Sequence, residues 1–282
     1  MTSSADAAVL ARKAHRTLEP LHVIGYFSPE PGERYASLGI KGGMRGYFAS
    51  RSAALGVVPL EVVIATFFNF APDLIAKAIP SVWESSTPEA VIQARYAATS
   101  DAYRRVLGEE VLASEEMVEA AALAREAATG LKPEGRPLYA AHAAVDWPGP
   151  THLQLFHAQT LLREYRGDGH IAALVLAGLD AVEALVTYVP LGEGMPEAMI
   201  RSTRGWSDEA WDAAVGRVQE RGLLDADRGL TSAGTTLRQQ VEDQTDAADA
   251  AAYLQLGTER TERLRSLARP WSKAITAAMF GA

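Results

Sequence analysis

WSDEAWDAAVGRVQERGLLDADRGLTSAGTTLRQQVE, residues 206–242, holds the densest run of local folding signals in the chain. Ser207 stands where a hydroxyl can accept from the first-turn N–H groups of a helix, and Asp208 and Glu209 follow at the positive end of that helix's dipole. Trp211, Val215 and Val218 share one helical face up to Gly222. LLDADRGLTSAG then reads as a small hairpin, two short segments joined at Asp227-Arg228-Gly229. A last pair of helices is expected over roughly 231–252 and 258–279.

Upstream, THLQLFHAQTLLREYRGDGH (151–170) follows a Pro-Gly-Pro break and reads as an amphipathic helix running into a Gly-Asp-Gly turn. It gathers His152, His157, Arg163, Glu164, Arg166, Asp168 and His170. Residues 171–188 form a long apolar helix. Nearer the N-terminus, residues 5–19 are helical up to Pro20, which closes or kinks the helix. Residues 33–54 keep a helical pattern despite Gly39, Gly42, Gly43 and Gly46, which implies close helix contact or room for a ligand. Thr87 caps and Pro88 opens a helix reaching about Leu107, and another covers 109–129. TGLKPEGRP is the best internal boundary. The expected organisation is a first helical half (1–130), a connector (131–150) and a second half (151–282).

The totals restrict the function classes. The chain has 282 residues, 48% of them hydrophobic and 22% charged, an ordinary globular composition. Val and Ile seldom alternate, so helices should greatly outnumber strands. There is no cysteine, which removes disulfides, thiolate metal sites and cysteine nucleophiles. The first twenty residues lack a signal-peptide pattern, and the expected compartment is the cytoplasm. The apolar stretch at 171–189 is interrupted by Asp180 and Glu183 and reads as a buried helix, so no membrane is expected. The net charge of −8 disfavours a nonspecific grip on nucleic acid.

The two halves align at a shift of about 135 residues, pairing His22 with His157, Gly32 with Gly167 and Tyr35 with His170. The second half carries an extra RGLLDADR, as a duplicated winged-helix unit with one lost wing would. Residues 206–242 resemble the recognition helix, wing and following helix of MarR-type winged-helix regulators, through Arg221-Gly222-Leu223, the hairpin and Leu230-Thr231-x-x-Gly234. Over its length the chain resembles a family of actinobacterial helix-turn-helix proteins, in RKAHRTLEPLH (12–22), LLREYRGDGH (161–170) and RGWSDEAW (204–211). That resemblance implies a fold and transfers no residue roles. The expected fold is mostly α, with two duplicated winged-helix-like halves in a pseudo-dimer and one small β-hairpin wing in the second half. Between residues 206 and 246, however, four basic side chains face nine acidic ones, a poor match to phosphate.

The favoured function is therefore small-molecule binding, as a sensor or sequestering protein, in a cavity between the halves. Its candidate ligand-binding residues are His22, Tyr26, Tyr47, Arg51, Phe67, Phe70, His157, Arg163 and His170. A DNA-binding regulator of MarR type, with a homodimer as one form it could take, is the first alternative. The second is an enzyme using the His/Arg/Asp cluster, with His157, Asp168 and His170 as candidate catalytic groups. No HExxH, GxSxG, P-loop or strand-linked GxGxxG motif is present, so no metal is expected and no cofactor is assigned.

Overall fold

A computed structural model describes residues 4–192 and 195–281. Among these residues there are fifteen α-helices and no strand: α1 (Ser4–Phe27), α2 (Glu30–Ser37), α3 (Gly43–Ser52), α4 (Leu60–Thr66), α5 (Pro72–Ala76), α6 (Pro88–Leu107), α7 (Glu109–Leu112), α8 (Glu115–Ala128), α9 (Pro137–Ala143), α10 (Thr151–Leu176), α11 (Ala181–Tyr188), α12 (Glu197–Arg204), α13 (Asp208–Glu220), α14 (Ser232–Leu256) and α15 (Thr258–Phe280). The mostly α expectation holds. The winged hairpin does not, because residues 223–231 form a tight turn closed by a single antiparallel bridge between Leu224 and Leu230. No helix among the described residues is long and apolar enough to cross a membrane.

The chain divides into two compact units. Unit 1 comprises the described residues of Met1–Val58, Ala78–Asp168 and Asp246–Ala282, and unit 2 those of Pro59–Lys77 and Gly169–Thr245. These units interleave in sequence rather than following as halves, so the structure gives no support to a duplicated pseudo-dimer. The physical reason is the core of unit 1, which draws one continuous apolar cluster from Leu10 on α1 through Phe156 on α10 to Ile275 on α15. Residues 131–150, expected as a connector, supply the buried Leu138, Tyr139 and His142 of α9.

In unit 1, α1 continues through Pro20 to Phe27. The interior proline removes one helix hydrogen bond, but Leu18, Leu21 and Ile24 around it are all at most 1% exposed. Burying each such side chain stabilises by roughly 1.5–3 kcal/mol, so burial outweighs the kink. The expected 33–54 helix is instead two, because Gly39 and Gly42 take φ of +79° and +95°, conformations that end and restart a helix. Gly46 marks a close approach: a Cβ there would lie 2.7 Å from Cδ2 of Tyr35.

The Gly-Asp-Gly segment is helix interior rather than a turn, since α10 runs unbroken to Leu176. Two interior glycines cost about 1 kcal/mol each, and the burial of Leu161, Leu162, Tyr165, Ala173 and Leu174 on the same helix exceeds that. Unit 2 packs α11 and α13 around Val182, Leu185, Trp211, Val215 and Val218, with Leu223 and Leu224 closing the cluster.

Candidate functional site

A network of polar side chains occupies the interior of unit 1. On α10, Thr160 and Glu164 stand one turn apart on the face that also carries Phe156 and His157, so one helix delivers several polar groups inward. Glu164 is 1% exposed and receives the Nη2 of Arg51 (α3) on both carboxylate oxygens, at 2.9 and 3.1 Å. Arg163 Nη1 donates to the same carboxylate at 3.0 Å, and Arg51 Nη1 donates to the Tyr47 hydroxyl at 3.1 Å. Burial alone would raise the Glu164 carboxyl, but Arg51 and Arg163 overcome it and hold the group far below the usual carboxylate range.

A second ring of contacts adjoins the first. His22 (α1) lies 3.1 Å from the Tyr26 hydroxyl through Nε2 and 3.3 Å from Thr160 Oγ1 through Nδ1. Arg95 (α6) donates from Nη2 to Tyr26 at 2.8 Å and to Thr160 at 3.3 Å. Tyr26 meets Tyr47 edge-on, with ring centroids 5.3 Å apart, which joins the two sets. His157 pairs through Nδ1 with the Tyr96 hydroxyl at 2.9 Å and lies edge-on to Trp147. Tyr26, Tyr47 and Arg163 are half-buried and the remainder are buried, so the network reaches the surface at those three residues.

Electrostatically the network pairs fixed cations with neutral imidazoles. Burial, reinforced by nearby arginines, depresses His22 well below its ordinary value, and takes His142 to about 3 and His157 to about 4. Such imidazoles stay uncharged at neutral pH and are weak bases, so they suit hydrogen bonding to a ligand better than proton abstraction. Arg95 Nε, His142 Nε2 and His157 Nε2 are buried and have no hydrogen-bond partner among the described residues. Buried polar groups are normally satisfied, so each of these atoms is open to a further polar group.

Of the residues singled out from sequence, His22, Tyr26, Tyr47, Arg51 and Arg163 lie in this network, and His157 adjoins it through Tyr96 and Phe156. Phe67 and Phe70 do not: both are buried in unit 2, where the Arg204 guanidinium stacks 4.6 Å over Phe70. His170 also belongs to unit 2 and contacts Thr245 Oγ1 at 2.9 Å. The catalytic trio does not converge. Asp168 and His170 follow His157 by eleven and thirteen positions on one continuous helix, which separates them by roughly 16 and 20 Å along its axis. Among the described residues no His, Asp and Glu side chains are grouped to hold a metal ion.

Sequence reasoning gathered Glu164 into the 151–170 cluster without giving it a role, and missed Arg95, Thr160 and Tyr96 as members. The available signal was a charge at helical spacing within an apolar stripe, as for Arg95 between Val91 and Ala98.

Asp168 has a separate role. It accepts the Tyr139 N–H at 3.0 Å, and burial pushes its carboxyl up to about 6. A raised folded-state pKa gives stability that is complete below the unfolded value of about 3.9 and is lost as pH rises through 6. Asp168→Asn is therefore expected to flatten the fall in stability between about pH 4 and 6.5, measured by urea titrations across that range. An unchanged slope would refute the assignment.

In unit 2, α12 and α13 are joined by the turn Gly205-Trp206-Ser207. Gly205 takes φ +75°, Ser207 Oγ accepts the Ala210 N–H at 3.2 Å, and Trp206 Nε1 donates to the Asn69 carbonyl at 3.0 Å. The outward side of α13 presents Asp208, Glu209, Asp212, Ala213, Arg217 and Glu220. Its basic groups are engaged: Arg217 pairs with Asp180 (2.6 Å) and Glu183 (2.8 Å), Arg221 with Glu183 (2.9 Å) and Arg228 with Asp212 (3.3 Å). In sequence, residues 59–77 and 169–245 hold fourteen acidic and seven basic residues, so they carry −7 of the chain's formal −8.

No curated protein and no solved structure matches the chain. The helix-turn-helix family model matches residues 11–281, and with nearly its whole length covered the chain belongs to the helix-turn-helix family.

Proposed function

We propose that this chain is a helix-turn-helix transcriptional regulator that addresses DNA through unit 2. The observation that carries the reading is the family match across residues 11–281. The α12–turn–α13 pair, closed by the 224–230 bridge, is the local geometry that such a family leads one to look for. The match favours the regulator over the sensor first preferred from sequence. In such proteins the N-terminal end of the second helix meets the bases of the major groove, and here that end carries Asp208, Glu209 and Asp212. Phosphate contacts supply much of the affinity, so binding requires Arg217, Arg221 and Arg228 to exchange their carboxylate partners for phosphates. The exposed pairs with Asp180 and Asp212 contribute only about 0–1 kcal/mol each, but Glu183 is 5% exposed and withdrawing Arg217 and Arg221 would leave its carboxylate buried and unpaired, which makes the resulting affinity low. The MarR-type arrangement, and work in the cytoplasm, are the finer form of this reading.

The triple change Asp208→Asn, Glu209→Gln, Asp212→Asn is expected to tighten duplex binding about tenfold or more, read by fluorescence anisotropy at about 50 mM salt. Absence of binding by both proteins would sink the regulator reading.

A specific observation favours a second role for unit 1 as a small-molecule site: the buried Arg95, His142 and His157 atoms that lack a protein partner. Native mass spectrometry is expected to show a co-purified small molecule that Arg95→Met releases. A bare wild-type mass would count against this role.

A further inference from the structure

A cleft in unit 1, lined by residues that take no part in the α13 face or the α10 network, has the chemistry of an anion site. It has a volume of about 520 Å³ and is lined by Arg16, Thr17 and Pro20 of α1 with Arg269, Ser272, Lys273, Thr276 and Ala277 of α15. Three of these residues are cations and none is acidic, in a chain whose formal charge is −8. Elsewhere on α15 the arginines are spoken for: Arg260 pairs with Glu126, Arg263 with Glu119 and Arg265 with Glu262. Among the described residues Arg269 and Lys273 form no ion pair, although both are exposed and one turn apart on the face that borders the cleft.

The hydroxyls cannot serve as donors to an anion without giving up existing bonds. Ser272 Oγ donates to the Thr17 carbonyl at 2.6 Å, Thr17 Oγ1 to the Lys13 carbonyl at 2.9 Å and Thr276 Oγ1 to the Ser272 carbonyl at 2.9 Å. They fix the walls, and Arg269 and Lys273 are left to recognise the ligand. Guanidinium groups favour the paired oxygens of phosphate, and an ammonium group adds a point charge. Pro20 and Ala277 supply apolar surface beside them. The volume falls within the roughly 300–1,000 Å³ range of small-molecule sites.

We propose that the α1–α15 cleft binds a small phosphate monoester with an apolar or aromatic substituent, the phosphate held by Arg269 and Lys273 with Arg16 and the substituent resting on Pro20 and Ala277.

The test is isothermal titration calorimetry of the full chain with 4-nitrophenyl phosphate, inorganic phosphate and 4-nitrophenol. The expected order is phosphate ester above inorganic phosphate, with the uncharged phenol not binding. Arg269→Gln with Lys273→Gln should weaken the ester about tenfold or more, and raising salt from about 50 to 500 mM should weaken it further. Both substitutions are exposed, and an unchanged thermal midpoint shows that the variant is folded. Arg95→Met and the α13 triple variant should leave ester binding unchanged, which separates this site from the two roles proposed above. Equal binding of the ester by the wild type and the double variant, no detectable binding by the wild type, or preference for anionic lipid vesicles over the ester would each overturn the proposal.

Discussion

Glu164→Gln is expected to destabilise unit 1 by about 3–5 kcal/mol, the largest effect of any single polar substitution proposed for this chain. The carboxylate is 1% exposed and the Arg51 side chain facing it 9% exposed. Glutamine keeps the shape but removes the charge, leaving the buried Arg51 guanidinium without the carboxylate that balances it. An uncompensated buried cation is far more expensive than the pair is valuable, because desolvation of both partners offsets most of their attraction. Replacing both members with apolar groups, Arg51→Met with Glu164→Leu, should accordingly lie much closer to wild type than Glu164→Gln does. The pH dependence follows from the same pairing. Glu164 is held below its unfolded value of about 4.3, so its contribution is complete above that pH and disappears as pH falls toward the folded value. Acid unfolding below about pH 4.5 should therefore be shallower in Glu164→Gln. Urea unfolding followed by circular dichroism checks both points, and a Glu164→Gln variant within about 1 kcal/mol of wild type would overturn the first.

Much of the helix content was legible because its signals are local. Thr87 caps α6 by accepting the Ala90 N–H at 3.3 Å, and Ser207 caps α13 in the same way. Neither depends on the rest of the chain. The Gly-Asp-Gly segment was misread because its turn propensity is local too, whereas the burial that keeps α10 helical is set by partners distant in sequence. The duplicated-halves expectation gains no support for the same reason: a sequence alignment carries no information that α15 packs along α1. Within the candidate network, His22, Tyr26, Tyr47 and Arg51 stood out as polar or aromatic residues on helical segments. Glu164 was visible as part of a charged run, but its pairing with Arg51, 113 positions away, is a product of tertiary packing. The apolar stripe around Arg95 marks a buried charge without naming its partner, and His142 carries no local mark that distinguishes a buried imidazole from a solvated one.

Gly234→Ala is expected to cost about 3 kcal/mol, against the ordinary preference of a helix for alanine. Alanine is better than glycine in a helix interior by about 1 kcal/mol, so propensity alone predicts a gain. Geometry opposes it. A Cβ on Gly234 would lie 2.0 Å from the Leu223 carbonyl oxygen and 3.0 Å from the Leu230 Cδ2. The obstacle is backbone, and it is pinned: the Leu223 carbonyl accepts the Thr231 N–H at 3.1 Å, while Thr231 Oγ1 donates to the Gly222 carbonyl at 2.6 Å and accepts the Gly234 N–H at 3.1 Å. The 223–231 turn must move as a whole to admit one methyl group, and Leu223 and Leu224 must then leave the unit 2 core. Gly216 provides the internal comparison, since it lies inside α13 and a Cβ there meets nothing within 4 Å. Gly216→Ala should therefore stabilise by up to about 1 kcal/mol while Gly234→Ala destabilises. Hydrogen exchange at the amides of 208–231 reads the two variants in the same unit. Equal gains at the two glycines would show that the turn does not seat Leu223 over the start of α14. Opposite signs would establish that contact as the one that fixes the turn following α13.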